Sequence, residues 1–254
     1  MNKFINILIN AYFLAIREIK IKYVRTYMGP LWIPITTIFI AFVVSIVWSL
    51  VFQINFLNYF FKIYICLATW NFIIAAPNEG CEIFSKKFNK ILSNSNISIL
   101  NYVFFNLFSL VIIYLHNLPF FLIFMFFIGS IKILNILFFI VGIIILLLTM
   151  FSIIFIIGTF SARFRDIAPL VKTLTAPLML LTPVIWDKEQ LGRYSEYIYL
   201  NPFTSLIEII TNPLLDKSID FKPYLISIIL MIVGIILTII IYKKFKKKIV
   251  FWSN

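Results

Sequence analysis

Blocks of apolar residues long enough to cross a bilayer recur along this 254-residue chain, and the short polar stretches between them hold most of its charge. A spanning helix needs about 20 such residues, which sets the reading frame for the elements. The first true span begins at Gly29-Pro30, a turn followed by a proline suited to a helix's first turn, and runs to about Phe52. A second runs from about Tyr59 to Ala76 and ends at Pro77. Residues 99–127 and 133–160 predict a third and a fourth, joined as a hairpin at Gly129-Ser130 with only Lys132 left outside. Pro119 should kink the third span, where His116 and Asn117 can hydrogen-bond the backbone groups that the kink frees; a proton relay is the other use of an isolated intramembrane histidine. The fifth span, 167–186, carries Pro169, Pro177 and Pro183. Lipid cannot satisfy the carbonyls they free, so this helix is expected inside protein or against a wet cavity. A sixth span, 223–242, ends in a basic tail.

Three segments do not span. Residues 4–16 are too short, and Lys3, Asn6, Asn10 and Arg17 fall within roughly 60° of one another on a helical wheel, while Ile5, Leu8, Tyr12, Ala15 and Ile19 gather elsewhere. That pattern predicts an amphipathic helix lying in the membrane interface, within an N-terminal unit of residues 1–28. The polar stretch from Asn78 to Lys90 places Ile83, Phe84, Lys87 and Ile91 at helical spacing, which predicts a short amphipathic helix over about 79–92. Between spans five and six, Asp187 can cap a short helix through Tyr197, and Asn201-Pro202 supplies a cap and first-turn proline for another through about Ile210. In the latter, Phe203, Leu206, Ile207 and Ile210 share a face, so residues 187–216 read as two short helices that dip toward the membrane and return. The expected fold is an all-α integral membrane protein, with one six-span domain over residues 29–254.

Composition strengthens this reading: 62% of residues are hydrophobic and 13% charged, far from soluble averages. The net charge of +12 raises nucleic acid as a partner until its placement is examined. Sixteen of the 22 basic residues lie in four clusters, at residues 3–25, 86–90, 163–172 and 243–248. The positive-inside rule puts those clusters, and with them both termini, in the cytoplasm. The basicity is topological, and no nucleic acid is expected. The outer segment 187–222 instead holds six of the ten acidic residues.

The chain has a single histidine, no phosphate-binding Gly-rich loop with Lys-Ser/Thr, and two cysteines, Cys66 and Cys81, without metal-ligand spacing. It is not expected to be an enzyme, to bind a metal or to hold a cofactor. Any energy it uses must come from a partner or a gradient, and the paired mid-membrane polar repeats of gradient-driven carriers are not apparent.

The run Arg17-Glu18-Ile19-Lys20-Ile21-Lys22-Tyr23 followed by Gly29-Pro30-Leu31-Trp32 resembles the opening of the membrane subunits of type-2 ATP-binding-cassette exporters for polysaccharides. Arg165-Asp166-Ile167, Thr182-Pro183-Val184-Ile185-Trp186 and Leu200-Asn201-Pro202-Phe203-Thr204-Ser205-Leu206-Ile207-Glu208 resemble that family's fifth-span boundary and outer gate. The motifs fall in order across nearly the whole chain. The resemblance implies a homodimer in the bacterial cytoplasmic membrane, paired with two copies of a separate ATPase that holds the ATP and Mg, and exporting a lipid-linked glycan such as an O-antigen, capsule or teichoic-acid polymer.

Within that frame the helix at about 79–92 is placed as the coupling helix, with Glu79, Glu82, Lys86 and Lys87 as polar contacts to the ATPase. Arg17, Lys20, Lys22 and Arg25 stand at headgroup height, where a carrier lipid's diphosphate would sit, although ordinary positive-inside charge accounts for them equally. Trp32, Phe39 and Phe42 share a face of the first span that can line a sugar path or face lipid. Tyr194, Tyr197, Asn201, Pro202, Phe203 and Glu208 are the expected outer-gate residues. Export of a drug, lipid or small peptide, a non-transporting scaffold and a lipid-sugar enzyme are the other readings.

Overall fold

The computed structural model describes residues 2–84, 98–128 and 132–252, and within them every regular element is helical. In chain order these are α1 (Asn2–Tyr23), a 3-10 turn (Gly29–Leu31), α2 (Trp32–Phe52), α3 (Phe56–Ile83), α4 (Ile99–Leu115), α5 (Leu118–Ile128), α6 (Ile133–Arg163) and α7 (Ile167–Leu181). A 3-10 segment (Lys188–Leu200), α8 (Pro202–Leu214) and α9 (Phe221–Trp252) follow. Among the described residues, five stretches are long and apolar enough to cross a membrane: Gly29–Phe52, Phe56–Ile83, Ile99–Phe124, Ile133–Arg163 and Phe221–Lys246. The expected fifth span is represented by α7, whose 15 residues rise only about 22 Å against a hydrocarbon core of roughly 30 Å.

The core is organised around α3, which packs against α2, α4, α6, α7 and α8. Its buried face includes Ile63, Tyr64, Ile65, Ile73 and Ala76. With no hydrophobic drive between helices in lipid, small residues that admit close approach decide where helices cross. Gly80 and Gly158 bring α3 against α6: a Cβ on Gly158 would stand 3.0 Å from the Gly80 carbonyl oxygen, and one on Gly80 would stand 3.0 Å from that of Ile154. Gly142 does the same for α6 and α8, since a Cβ there would lie 2.5 Å from the Ile209 carbonyl oxygen.

Several expectations change. The second span does not stop at Pro77: α3 continues to Ile83, because Pro77 costs one backbone bond while Gly80 and Ile83 pack on α6 beyond it. Positions 79–83 of the expected coupling helix are therefore the end of α3, and residues 85–97, with Lys86 and Lys87, lie outside the described residues. The third span is broken into α4 and α5 where Pro119 required it. His116 Nδ1 lies 2.6 Å from the Ile112 carbonyl, Asn117 donates to the Tyr114 carbonyl at 3.1 Å, and the Tyr64 hydroxyl donates to Asn117 Oδ1 at 2.9 Å.

The N-terminal helix is longer than its apolar run. It lays Ala11, Ala15 and Ile19, spaced one turn apart, on α4, while Ile5 and Tyr12 of the expected apolar face remain exposed. Ser109 donates to the Glu18 carboxylate at 2.9 Å across that contact. Contrary to expectation, α7 buries none of its residues within the single chain.

Candidate functional site

The bundle has two chemically different ends. At one, Ser161 donates to the Cys81 carbonyl, Phe155 meets the Tyr242 ring at 6.1 Å, and the Arg163 guanidinium lies 5.1 Å from the Trp252 ring. The ends of α3, α6 and α9 thus gather here with Lys243, Lys244, Lys246 and Lys248. At the other end, the starts of α3, α6 and α9 meet the whole acidic segment.

That acidic end is built around α8. Its first turn is set by sequence: Asn201 accepts from the Phe203 N–H at 3.0 Å and Pro202 fills the first helical position. The helix expected from Asn201-Pro202 forms, but it is buried on more than its apolar face. Leu206, Ile207, Ile209, Ile210 and Leu214 are buried together with Thr204, Ser205, Glu208 and Thr211, so α8 is covered on all sides by α3, α6 and α9. The Tyr224 hydroxyl, 3.1 Å from the carbonyls of Phe138 and Ile209, ties three helices together.

Burying Glu208, only 6% exposed, requires partners. Lys188 supplies an ammonium at 3.0 Å from Oε1, and Tyr199 bridges the pair by donating to Oε2 and accepting from Lys188, both at 2.9 Å. Burial pulls the Lys188 pKa down, but its hydrogen bonds to Tyr199 and Glu208 outweigh it, and the net shift is up. Burial chiefly, together with the Glu208 charge, pushes the Tyr199 phenol up to about 12.

Asp187 does not cap the segment it precedes. Its carboxylate pairs instead with Lys62 of α3 at 2.5 Å and with Lys217 at 3.8 Å. Lys62 also donates to the Trp186 carbonyl at 3.1 Å, and the Tyr59 hydroxyl donates to that of Ile185. Between these groups lies a cavity of about 180 Å³ reached by Lys62, Cys66, Asp187, Lys188, Glu208 and Lys217. A more open recess of about 400 Å³ adjoins it through Lys62, Asp187 and Lys217. The chemistry is that of a charge-paired vestibule: each ammonium here has a carboxylate partner. Among the described residues no cluster of His, Cys, Asp or Glu could hold a metal ion.

Of the expected gate residues, Glu208 is central, Asn201 holds the Thr182 hydroxyl at 2.8 Å, and Phe203 packs edge-on against Trp70. Tyr194 and Tyr197 are exposed, their rings 6.3 Å apart. Trp32, Phe39 and Phe42 are exposed on α2, with Phe42 edge-on to Phe56 and Phe60. Arg17, Lys20, Lys22 and Arg25 are all exposed on α1 and the turn after it. Glu79 and Glu82 stand at the far end of α3, so the structure does not join them to the vestibule. Sequence reasoning missed Lys62, Lys188, Tyr199 and Lys217. For Lys62 the signal was present: a lysine within an apolar window, inside the predicted second span.

A polytopic helical bundle with a charged vestibule between its helices fits a membrane transport domain. The chain belongs to the ABC-2 type transporter family, whose family model matches residues 10–215, from within α1 to just past α8. It is a membrane subunit of an ABC transporter, and the ATPase activity lies on a separate chain. No curated protein matches it.

Proposed function

We propose that this subunit exports a lipid-linked polysaccharide of the O-antigen, capsule or teichoic-acid type, as a homodimer engaged by two copies of the ATPase. The observation that carries the dimeric path is the open face of α7. Thr173, Ala176 and Pro177 are exposed there, and Pro177 has no N–H for the Thr173 carbonyl. The hydroxyls of Thr173 and Thr175 are spent on the carbonyls of Pro169 and Val171, but the Thr173 carbonyl left by Pro177 costs several kcal/mol in lipid, so this face calls for protein or a polar path against it, and a second copy supplies both. The six-span reading follows if α7 and the turn at 182–187 together complete a crossing beside that partner.

The gathering of 16 of the 22 basic residues in four clusters apart from the acidic segment supports an orientation in the bacterial cytoplasmic membrane with the lysine-rich end and both termini cytoplasmic. The end of α3, with Glu79 and Glu82 and the following Lys86 and Lys87, is then where the ATPase pushes. Arg17, Lys20, Lys22 and Arg25 face the headgroup layer, where guanidinium and ammonium groups suit a carrier diphosphate. Trp32, Phe39 and Phe42 offer the transported sugar rings apolar faces.

Depletion of the protein in its host tests this directly. The expected result is accumulation of one lipid-linked polymer on the cytoplasmic leaflet, together with co-purification of an ATPase with the tagged subunit. Depletion without any accumulating glycan would remove the polysaccharide reading and leave a small-substrate exporter.

A further inference from the structure

Residues 182–201 run from the end of α7 to α8; Thr182, Pro183 and Val184 are buried, Val184 in the core, and beyond them little apolar burial holds the segment. In the 3-10 segment only Ile198 is buried, while Leu191, Tyr194, Tyr197 and Leu200 are exposed. Beyond Val184 the attachment is chiefly polar, at two partly buried points besides an exposed Lys222–Glu196 pair at 2.9 Å. At the first, Asp187 meets Lys62 and Lys217 while Lys62 and Tyr59 hold the carbonyls of Trp186 and Ile185. At the second, Lys188 and Tyr199 meet Glu208. Between Lys188 and Tyr199 lies Gly192, at φ 53° and ψ −121°, a conformation that side-chain-bearing residues avoid, which divides the segment into two short pieces. The cavity next to these contacts reaches the thiol of Cys66, which is 2% exposed and one turn along α3 from Lys62.

We propose that residues 185–200 form a hinged strap latched by the Lys62–Asp187–Lys217 ion pairs over the cavity that reaches Cys66, and that release of this latch opens the outer end of the subunit. Contacts of this kind suit a device that must open repeatedly. The latch groups border a cavity of about 180 Å³, so solvent can take the place of a lost partner as they separate, whereas a buried apolar seam would have to be exposed outright. The latch follows from the geometry; its use in export rests on the function proposed above.

Cys66 reports on the strap. In right-side-out membranes containing the complex with its ATPase, with Cys81→Ser so that one thiol remains, a membrane-impermeant sulfonated methanethiosulfonate is applied from outside. The parent should react slowly. Asp187→Asn and Lys62→Met should each accelerate modification by about tenfold or more, because they shift the closed–open equilibrium toward open. The charge-swapped double variant Lys62→Asp/Asp187→Lys should return the rate to about twice the parent's or less, since it restores the pair. Single variants that react at the parent rate would overturn the latch, as would a swapped variant as fast as the singles, which would signal mere structural damage. The readout needs no polymer. Accelerated labelling without glycan accumulation on depletion would keep the latch and remove the polysaccharide reading; accumulation with unchanged labelling would do the reverse.

Discussion

Replacing Gly142 by alanine should loosen the contact that holds α8 against α6, and the size of the effect follows from the backbone. The new Cβ would stand 2.5 Å from the Ile209 carbonyl oxygen, where ordinary contact begins at 3.4 Å and values under 3.0 Å essentially never occur. The neighbour is backbone in a helix buried on all sides, so it has no rotamer with which to yield, and α8 must retreat by about 0.5 to 0.9 Å. A gap of that order forfeits a quarter to a half of each dispersion contact; with roughly 40 atom pairs at about 0.15 kcal/mol across the seam, the loss is about 1.5–3 kcal/mol. Thermal unfolding of the detergent-purified subunit, followed by tryptophan fluorescence and size-exclusion recovery, should fall by roughly 5 °C. Gly234→Ala is the graded comparator, because its Cβ would meet only the Ser152 side chain, at 3.0 and 3.3 Å, and should cost less. A parent-like midpoint for Gly142→Ala, or a larger loss for Gly234→Ala, would refute the claim that this close approach positions α8.

Glu208→Gln should destabilise the subunit by about 1–2 kcal/mol, less than a fully buried pair because Lys188 retains some solvent, and a double-mutant cycle with Lys188→Met should show coupling near 1 kcal/mol; additive losses would break the assignment. Asn201→Ala removes both the cap on Phe203 and the bond to Thr182, so a loss of about 1–2 kcal/mol is expected in the same melt, with Asn201→Asp retaining the cap portion. The pH response follows from Lys188 and Tyr199, whose folded pKa values both lie above the ordinary 10.5 and 10.0. Groups raised on folding contribute stability that is complete below their unfolded values and is lost as pH rises through the folded ones. Their contribution should therefore be flat from pH 6 to about 9 and decline above about 10, and Tyr199→Phe should show a shallower alkaline decline; equal slopes in parent and variant would contradict it.

How far the sequence carried the description depends on the range of the interaction concerned. Bilayer-length apolar blocks, the break near Pro119 and the start of α8 at Asn201-Pro202 were legible, because each is set by residues within a turn or two of one another. The extension of α3 past Pro77 was not, since it depends on Gly158 being opposite Gly80, about eighty residues away in the chain. The same limit hid the partners of Asp187. Read locally, it is a good helix cap; in the fold, Lys62 of α3 competes for the same carboxylate and wins.

The apolar pattern by itself determined that this chain crosses a membrane several times as helices, and its order of motifs pointed to the ABC-2 family, because hydrocarbon imposes one rule on every residue that enters it. What tertiary structure alone decided is which face each helix hides. It buried α8 all round although its pattern reads as amphipathic, left the proline-bearing α7 uncovered, and turned scattered acidic and basic residues at one end into paired charges around a vestibule. Those outcomes depend on which distant backbone and side-chain groups come within a few ångströms, a quantity that no local periodicity contains.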